Sequence, residues 1–338
     1  MLLAFGIHKN QEVVTLTYPS HWVSPKYDFE ANPLTKEKIE LGRRLFYDPI
    51  LSRDNTISCS SCHLSYTAFT HTDHALSHGI NDSIGFRNSP VLINLAWNKH
   101  FMWDGAIHNI ELQALAPIHD DAEMGEDLNN IIRKLEASST YPDLFAKVFG
   151  ERKITGEHLL KAMAQFQLSL VSSNSKYDKV MAKQDSFTVQ EANGYQIFQQ
   201  HCNSCHQEPL FTTGDFANNG LTVDSLLMDF GRYRITKQGK DSLMFKIPTL
   251  RNIKYSSPYM HDGRFKSLYQ TVSHYTDGGI QESPTLAAEL RKGIQLSNHE
   301  KVDLVAFLLT LSDKDFLSNP DFAYPRYVLQ EKKDKIKQ

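Results

Sequence analysis

Two short cysteine motifs constrain this 338-residue chain more than any other feature of its sequence. The first reads Cys59-Ser60-Ser61-Cys62-His63 and the second reads Cys202-Asn203-Ser204-Cys205-His206, and together they contain all four cysteines. C-x-x-C-H is the attachment motif of c-type haem. Two thiols one helical turn apart reach the two vinyl groups of the porphyrin, and the histidine that follows ligates the iron. The motifs therefore predict two covalently bound haem c groups, with His63 and His206 as proximal ligands.

Three other uses of such cysteines compete with haem attachment. A zinc site needs cysteine pairs at finger-like separations, whereas these pairs lie far apart in the chain. A thioredoxin-like redox pair is expected beside a βαβ pattern, which the sequence lacks. Structural disulfides stay open, although cysteines at this spacing seldom form useful bridges. Haem c is attached outside the cytoplasm, so the haem interpretation predicts a periplasmic protein.

Composition and charge exclude several other classes of protein. Hydrophobic residues make up 41% of the chain and charged residues 22%, which is typical of globular proteins rather than disordered or fibrous ones. The formal net charge is -3, which argues against binding of nucleic acid through its phosphates. No apolar run approaches the roughly 20 residues of a membrane helix. The apolar start, Met1 to Ile7, is either the remnant of an export signal or an ordinary mature terminus.

An internal repeat relates the two halves of the chain. Each half carries the pattern P-x-L-x-N-x8-[WH]-D-G after its haem motif, from Pro90 to Gly105 and from Pro248 to Gly263. A glycine-to-phenylalanine segment precedes each motif, from Gly42 to Phe46 and from Gly194 to Phe198. The second copy has 15 more residues between its haem histidine and its Asp-Gly pair, in a stretch that includes Phe211 to Gly231. The repeat predicts two copies of one haem domain.

The predicted fold is mainly α, with two cytochrome c-like haem domains in tandem and long loops. Apolar residues recur at helical spacing in four segments, Leu128 to Ala137, His158 to Val171, Val189 to Gln200 and Lys301 to Leu311. We expect an N-terminal extension over residues 1–30, a first haem domain over 31–184, a second haem domain over 185–320 and a tail over 321–338. The domain boundary should lie near Gln184.

The repeat also shows where the two copies differ. Tyr275 lies fourteen residues after His261, and Pro117 lies fourteen residues after Trp103. If this position faces the open side of each haem, the second iron has an oxygen ligand and the first has none. The difference predicts one shielded haem for electron transfer and one open haem for a small substrate. His274, Met260 and Met244 are rivals of Tyr275, and a tyrosine packed in the core is the simpler alternative.

Two polar side chains suit the chemistry of an open haem. Cleavage of a peroxide bond needs a group that moves a proton between the two oxygens and a neighbour that orients it. Glu123 could transfer the proton and Gln113 could donate a hydrogen bond. Taken alone, Glu123 is better explained as a surface residue of a solvated acidic turn, from Asp120 to Gly125.

These residues together resemble the bacterial di-haem cytochrome c peroxidase family, which includes the MauG-type enzymes. The resemblance extends from about Leu34 to Leu311. It rests on the two haem motifs, Leu51-Ser52, Arg87-Asn88-Ser89-Pro90, Trp103-Asp104-Gly105, Gln113, Glu123-Met124-Gly125, Pro248 to Asn252 and Pro258 to Gly263. The resemblance implies that Gln113 and Glu123 are the distal catalytic pair and that Pro117 lines their pocket. It also implies that Trp103 relays electrons between the haems.

The resemblance further implies a calcium ion between the domains. Its ligands would be the side chain of Asn88 and the backbone carbonyls of Ser256 and Pro258, a set of oxygens that suits a hard cation. Some members close the open haem at rest with a histidine from the preceding loop. That loop contains His71, His74 and His78, but Ile80 occupies the expected position, so a polar surface loop is favoured and His78 stays open.

Tyr275 departs from typical members, which have methionine as the second distal ligand, and agrees with the MauG type. An oxygen ligand favours ferric or higher states of iron. The resemblance as a whole implies reduction of hydrogen peroxide to water, with electrons from a small periplasmic cytochrome c or cupredoxin that pass through the second haem and Trp103. The alternative is a MauG-like enzyme that uses peroxide to oxidise residues of a partner protein. A di-haem electron carrier or sensor is a third possibility, and the sequence leaves open whether the protein forms a homodimer.

Overall fold

A computed structural model describes residues 11–326 and residue 328, and it shows a mostly helical chain with little strand. The helices of the first half are α1 (Lys36–Phe46), α2 (Cys59–Cys62), α3 (Ile110–Gln113), α4 (Leu115–His119), α5 (Leu128–Ala137), α6 (Tyr141–Phe149) and α7 (Gly156–Ser169). Those of the second half are α8 (Lys176–Met181), α9 (Val189–His201), α10 (Tyr233–Thr236), α11 (Leu268–Thr276), α12 (Asn298–Leu309) and α13 (Lys314–Leu317). Strands β1 (Phe216–Ala217) and β2 (Phe245–Lys246) pair antiparallel, with Phe216 opposite Lys246.

The four helices predicted from apolar spacing are all present, as α5, α7, α9 and α12. Two of the predicted starts were wrong. Helix α7 begins two residues earlier, where the Thr155 side chain accepts a hydrogen bond from the backbone of His158. Helix α12 begins at Asn298, because Ser297 and Glu300 form a reciprocal capping box before the apolar residues begin.

The glycine that precedes each haem motif marks a close crossing of two helices. A Cβ atom added at Gly42 in α1 would lie 2.0 Å from the carbonyl oxygen of Ala162 in α7. One added at Gly194 in α9 would lie 1.9 Å from the carbonyl oxygen of Asp303 in α12. Both distances are far below van der Waals contact, so only glycine permits these crossings. Each domain is thus built on one such crossed helix pair, as a repeated domain requires.

The backbone between these helix pairs repeats as well. Asn94 and Asn252 both adopt left-handed conformations, with φ of 55° and 58°. Gly105 and Gly263, at the ends of the two repeat patterns, have φ of 70° and 68°. The repeat found in the sequence is therefore also a repeat of local backbone geometry.

Buried aromatic residues form the cores and also connect the two halves. Phe46 and Phe166 pack edge to face in the first domain, and Phe198 and Phe307 pack together in the second. Trp22, within the predicted N-terminal extension, is buried and stacks against the guanidinium of Arg251 at 4.6 Å. The described part of the extension is thus packed against both domains.

The apolar start, Met1 to Ile7, and the charged end of the tail lie outside the described residues. Within the described part of the chain, no helix is both long enough and apolar enough to cross a membrane.

Candidate active site

A cavity of about 720 Å³ extends between the two cysteine motifs and is bounded by both domains. Cys62 and His63 line it on one side, and Cys202, Cys205 and His206 line it on the other. The sulfur atoms form no disulfide, and the described residues contain no cluster of three or more His, Cys, Asp or Glu arranged to hold a metal ion. These observations disfavour the disulfide and zinc interpretations and leave the cysteines available for thioether bonds.

The histidine of each motif is held by backbone carbonyls in the orientation that an iron ligand needs. The Nδ1 atom of His63 lies 2.7 Å from the carbonyl oxygen of Phe69. The Nδ1 atom of His206 lies 3.1 Å from the carbonyl oxygen of Pro248 and 3.4 Å from that of Phe211. Burial lowers the pKa of both histidines to about 4. Each ring is therefore neutral, with Nδ1 fixed as the donor and Nε2 free to bind iron.

Pro117, Gln113 and Glu123 line the cavity together on the side of the first motif. Gln113 ends α3 and its Nε2 lies 3.7 Å from the sulfur of Met102. Burial, with a contribution from the charge of Asp120, raises the pKa of Glu123 to about 7. A carboxyl group with this pKa can both accept and return a proton near neutral pH.

The turn that carries Glu123 is fixed by a neighbouring segment. The backbone amide of Ile80 donates to the carbonyl of Glu123 at 2.8 Å. A Cβ atom at Gly79 would lie 2.5 Å from the Cα of Glu123, so the two backbones are in close contact. This partly buried turn places Glu123 at the wall of the cavity, a position that the sequence alone did not determine.

Tyr275 lines the same cavity on the side of the second motif. Its hydroxyl accepts a hydrogen bond from Nδ2 of Asn219 at 3.2 Å, and burial raises its pKa to about 12. Among the rivals, His274 faces away, with its Nε2 3.0 Å from the carbonyl oxygen of Asn219, and neither it nor Met244 lines the cavity. Met260 does line it, and its sulfur lies 3.5 Å from the same Asn219 amide. Geometry therefore reduces the candidates to Tyr275 and Met260.

Trp103 lies at the junction of the two domains and lines the cavity. Its indole nitrogen donates to the carbonyl oxygen of Asn88 at 2.8 Å, and its ring lies 6.5 Å from that of His261 in the second domain. The side chain is therefore held in one orientation between the two haem motifs.

The three residues implied as calcium ligands also meet at this junction, where Asn88, Ser256 and Pro258 all line the cavity. The Nδ2 atom of Asn88 donates to the carbonyl oxygen of Ala75 at 3.0 Å, a bond that does not engage the amide oxygen. Among the described residues, the carbonyls of Ser256 and Pro258 accept no hydrogen bond. Three oxygen atoms are thus available to a cation.

The histidines of the loop lie outside the cavity. The rings of His71 and His74 stack at 5.4 Å, and those of His74 and His78 stack at 4.4 Å. His78 also pairs with Asp82 at 2.6 Å. In this conformation none of the three occupies the open side of the first haem site.

Several residues of the site have roles that the sequence did not indicate. Arg87 forms buried ion pairs with Asp104 at 2.6 Å and with Asp229 at 2.7 Å, and so connects the domains beside Trp103. Asn219 and Asp229 belong to the additional stretch of the second copy, which the repeat could not align. Lys246 also lines the cavity. The repeat could have identified it from the sequence, because Lys246 in the second copy occupies the position of Asn88 in the first.

Comparison with known proteins assigns the chain to a family. Residues 36–186 match the family model of di-haem cytochrome c peroxidase, and residues 191–312 match that of cytochrome c. The methylamine utilization protein MauG of Methylorubrum extorquens is 35% identical over 294 residues, covering 83% of this chain and 80% of its own. The chain belongs to the di-haem cytochrome c peroxidase family. It consists of two tandem cytochrome c-type domains that bind haem c, and it is an oxidoreductase of the peroxidase type.

Other relatives of this di-haem peroxidase lie on both branches of the family. The cytochrome c551 peroxidase of Nitrosomonas europaea is 34% identical over 299 residues, covering 87% of this chain and 84% of its own. A crystal structure of a MauG-like protein associated with microbial copper homeostasis superposes with a TM-score of 0.83 and 29% identity, covering 93% of this chain and 99% of that one. The matches therefore establish the family but include both MauG proteins and cytochrome c peroxidases. The residues of the site must distinguish between these two types.

Proposed function

We propose that this di-haem peroxidase reduces hydrogen peroxide to water at the haem of His63, with electrons that enter through the haem of His206. The observation that carries the proposal is the difference between Pro117 and Tyr275, which occupy the same position of the repeat and line the same cavity. Proline has no side-chain donor atom for iron, whereas tyrosine offers an oxygen. The first site is thereby left open to a small substrate and the second is closed.

The bound haems supply the redox-active iron, and the protein supplies proton transfer and orientation. The carboxylate of Glu123 accepts a proton from peroxide and, once protonated, returns it to the departing oxygen. The amide of Gln113 donates a hydrogen bond that orients the peroxide beside Glu123. Pro117 contributes apolar surface and leaves room for a molecule of this size.

Steady-state turnover with a reduced small cytochrome as donor tests this proposal. We expect consumption of peroxide in step with oxidation of the donor. Turnover near background, together with rapid reaction of peroxide with the fully oxidised protein, would overturn it and favour the second candidate, a MauG-like enzyme that oxidises residues of a partner protein. Tyr275 favours that candidate, because an oxygen ligand makes the second haem a poor acceptor from a high-potential donor.

Replacing Trp103 by Phe should slow electron transfer between the haems about tenfold, a difference of about 1.4 kcal/mol in the barrier. The reason is the loss of the indole that bonds to Asn88 and faces His261. Stopped-flow spectroscopy would follow oxidation of the second haem after peroxide is added. Trp97→Phe is the control, because Trp97 is a buried tryptophan of the same domain that does not line the cavity. Equal losses of peroxide binding and electron transfer in the Trp103 variant would argue against a relay.

We also propose one calcium ion at Asn88, Ser256 and Pro258, supported by the two carbonyls that accept no hydrogen bond among the described residues. Elemental analysis after dialysis should find about one calcium per chain, and Asn88→Ala should remove it. Asn129→Ala, on the exposed face of α5, is the matched control and should retain it. Retention of calcium by the Asn88 variant would refute the site.

The remaining assignments follow from the haem chemistry. We propose that the protein is periplasmic, because haem c is attached outside the cytoplasm. The electron donor is proposed to be a small cytochrome c or cupredoxin. Under the MauG-like alternative, the partner is a protein substrate instead.

A further inference from the structure

The two domains contact each other through a reciprocal pair of backbone hydrogen bonds. The amide of Asn88 in the first domain donates to the carbonyl of His261 in the second at 2.7 Å. The amide of Lys246 in the second domain donates to the carbonyl of Trp103 in the first, also at 2.7 Å. Asn88 and Lys246 correspond in the repeat, and so do Trp103 and His261. The interface is therefore approximately twofold, and each copy presents the same backbone to the other.

Because of this symmetry, the surroundings of Lys246 can be compared with those of Asn88. Asn88 belongs to the proposed cation site with Ser256 and Pro258, and the repeat counterparts of those two residues are Asn98 and His100. Phe216, which pairs with Lys246 between strands β1 and β2, has its ring 5.2 Å from that of His100, so the lysine lies near this counterpart segment. The interface position of Asn88 is thus suited to a bound cation. The equivalent position of the second copy, Lys246, itself carries a positive charge.

Lys246 faces the cavity without an anionic partner from the protein. Lys246 lines the cavity, and no carboxylate of the described residues is paired with its ammonium group. Burial lowers its pKa to about 8, and no neighbouring charge of the protein offsets that effect. A charge removed from water is costly unless it is paired. Each haem has two propionate carboxylates, and these negative charges likewise require a partner of opposite charge when they are removed from water.

We propose that the ammonium group of Lys246 is the fixed counter-ion of a haem propionate at the domain interface, beside Trp103. The inference rests on the haem placement proposed above. Of the two arginines that also line the cavity, Arg87 is already paired with Asp104 and Asp229, and Arg234 is exposed and packs on the ring of Phe86 at 4.2 Å. Lys246 therefore binds the cofactor and tunes its potential, since a nearby positive charge favours the reduced, less positive iron.

Potentiometric titration of Lys246→Met tests the inference. Loss of the positive charge should lower the midpoint potential of one or both haems, whereas Lys246→Arg should keep both near the wild-type values. Lys240→Met removes an exposed lysine and is the matched control for net charge. Lys246→Gln also removes the charge but keeps a polar end group, and it replaces the Met variant if that variant is not loaded with haem.

The outcomes separate this inference from the proposed function. Potentials in Lys246→Met and Lys246→Gln equal to those of the Lys240 control would overturn the role of Lys246. A wild-type protein that holds fewer than two haems would instead overturn the haem placement on which both proposals depend. A downward shift in the neutral variants, absent in Lys246→Arg, would support the ion pair.

Discussion

Replacement of Glu123 by Gln should slow the reaction with hydrogen peroxide by about 10²- to 10⁴-fold, the usual contribution of a positioned acid–base group. Glutamine fills the same space in the cavity but cannot accept the peroxide proton. Because burial raises the pKa of Glu123 to about 7, the accepting carboxylate predominates only above that pH. The wild-type rate should therefore rise as pH increases through about 7 and then level off. The rate of the Glu123→Gln variant should show no such rise near pH 7.

Stopped-flow mixing of peroxide with the oxidised protein between pH 5 and 9 would measure both effects. Asp121→Asn is the control, since it converts a carboxylate of the same turn that is exposed, pairs with Arg53 and does not line the cavity. Its rate and pH profile should match those of the wild type. A Glu123→Gln variant with an unchanged rate would remove this residue from the mechanism.

Replacement of Tyr275 by Met should raise the midpoint potential of the second haem by roughly 100 mV or more, because axial ligands set haem potentials over a range of about 0.8 V. A thioether stabilises ferrous iron, whereas a phenol oxygen favours the ferric state. The variant should also accept electrons from a high-potential cytochrome more readily, so its steady-state turnover of peroxide should increase.

A matched substitution on the same helix controls this experiment. Tyr269 lies in α11 with Tyr275 but is 42% exposed, so Tyr269→Met should leave the potential of both haems unchanged. An unchanged potential in Tyr275→Met, with the low-spin spectrum retained, would show that Tyr275 is not the ligand. Met260, which lines the same cavity, would then be the ligand to test.

Much of the fold was predictable because its signals are local. Apolar spacing identified α5, α7, α9 and α12, and the repeat identified two equivalent domains. The start of α12 was missed because the prediction followed apolar residues, whereas the helix begins at the polar capping box of Ser297. The short strands β1 and β2 have too few residues to show any periodicity.

The candidate site was predictable only where the two copies align. Pro117 and Tyr275 occupy equivalent positions of the repeat, and in the structure both residues line one cavity. Asn219 and the ion pair of Arg87 with Asp229 lay beyond such reasoning, because both involve the additional stretch of the second copy. The raised pKa of Glu123 comes from burial, and the close backbone contact of its turn with Gly79 joins segments far apart in the chain, which no local pattern indicates.

The central claim is that one haem is open and the other is closed. Optical and EPR spectra of the resting, fully oxidised protein test it most directly. The account predicts one high-spin ferric haem, at the site facing Pro117, and one low-spin ferric haem, at the site facing Tyr275. Two low-spin haems, or two high-spin haems, in the resting protein would contradict it.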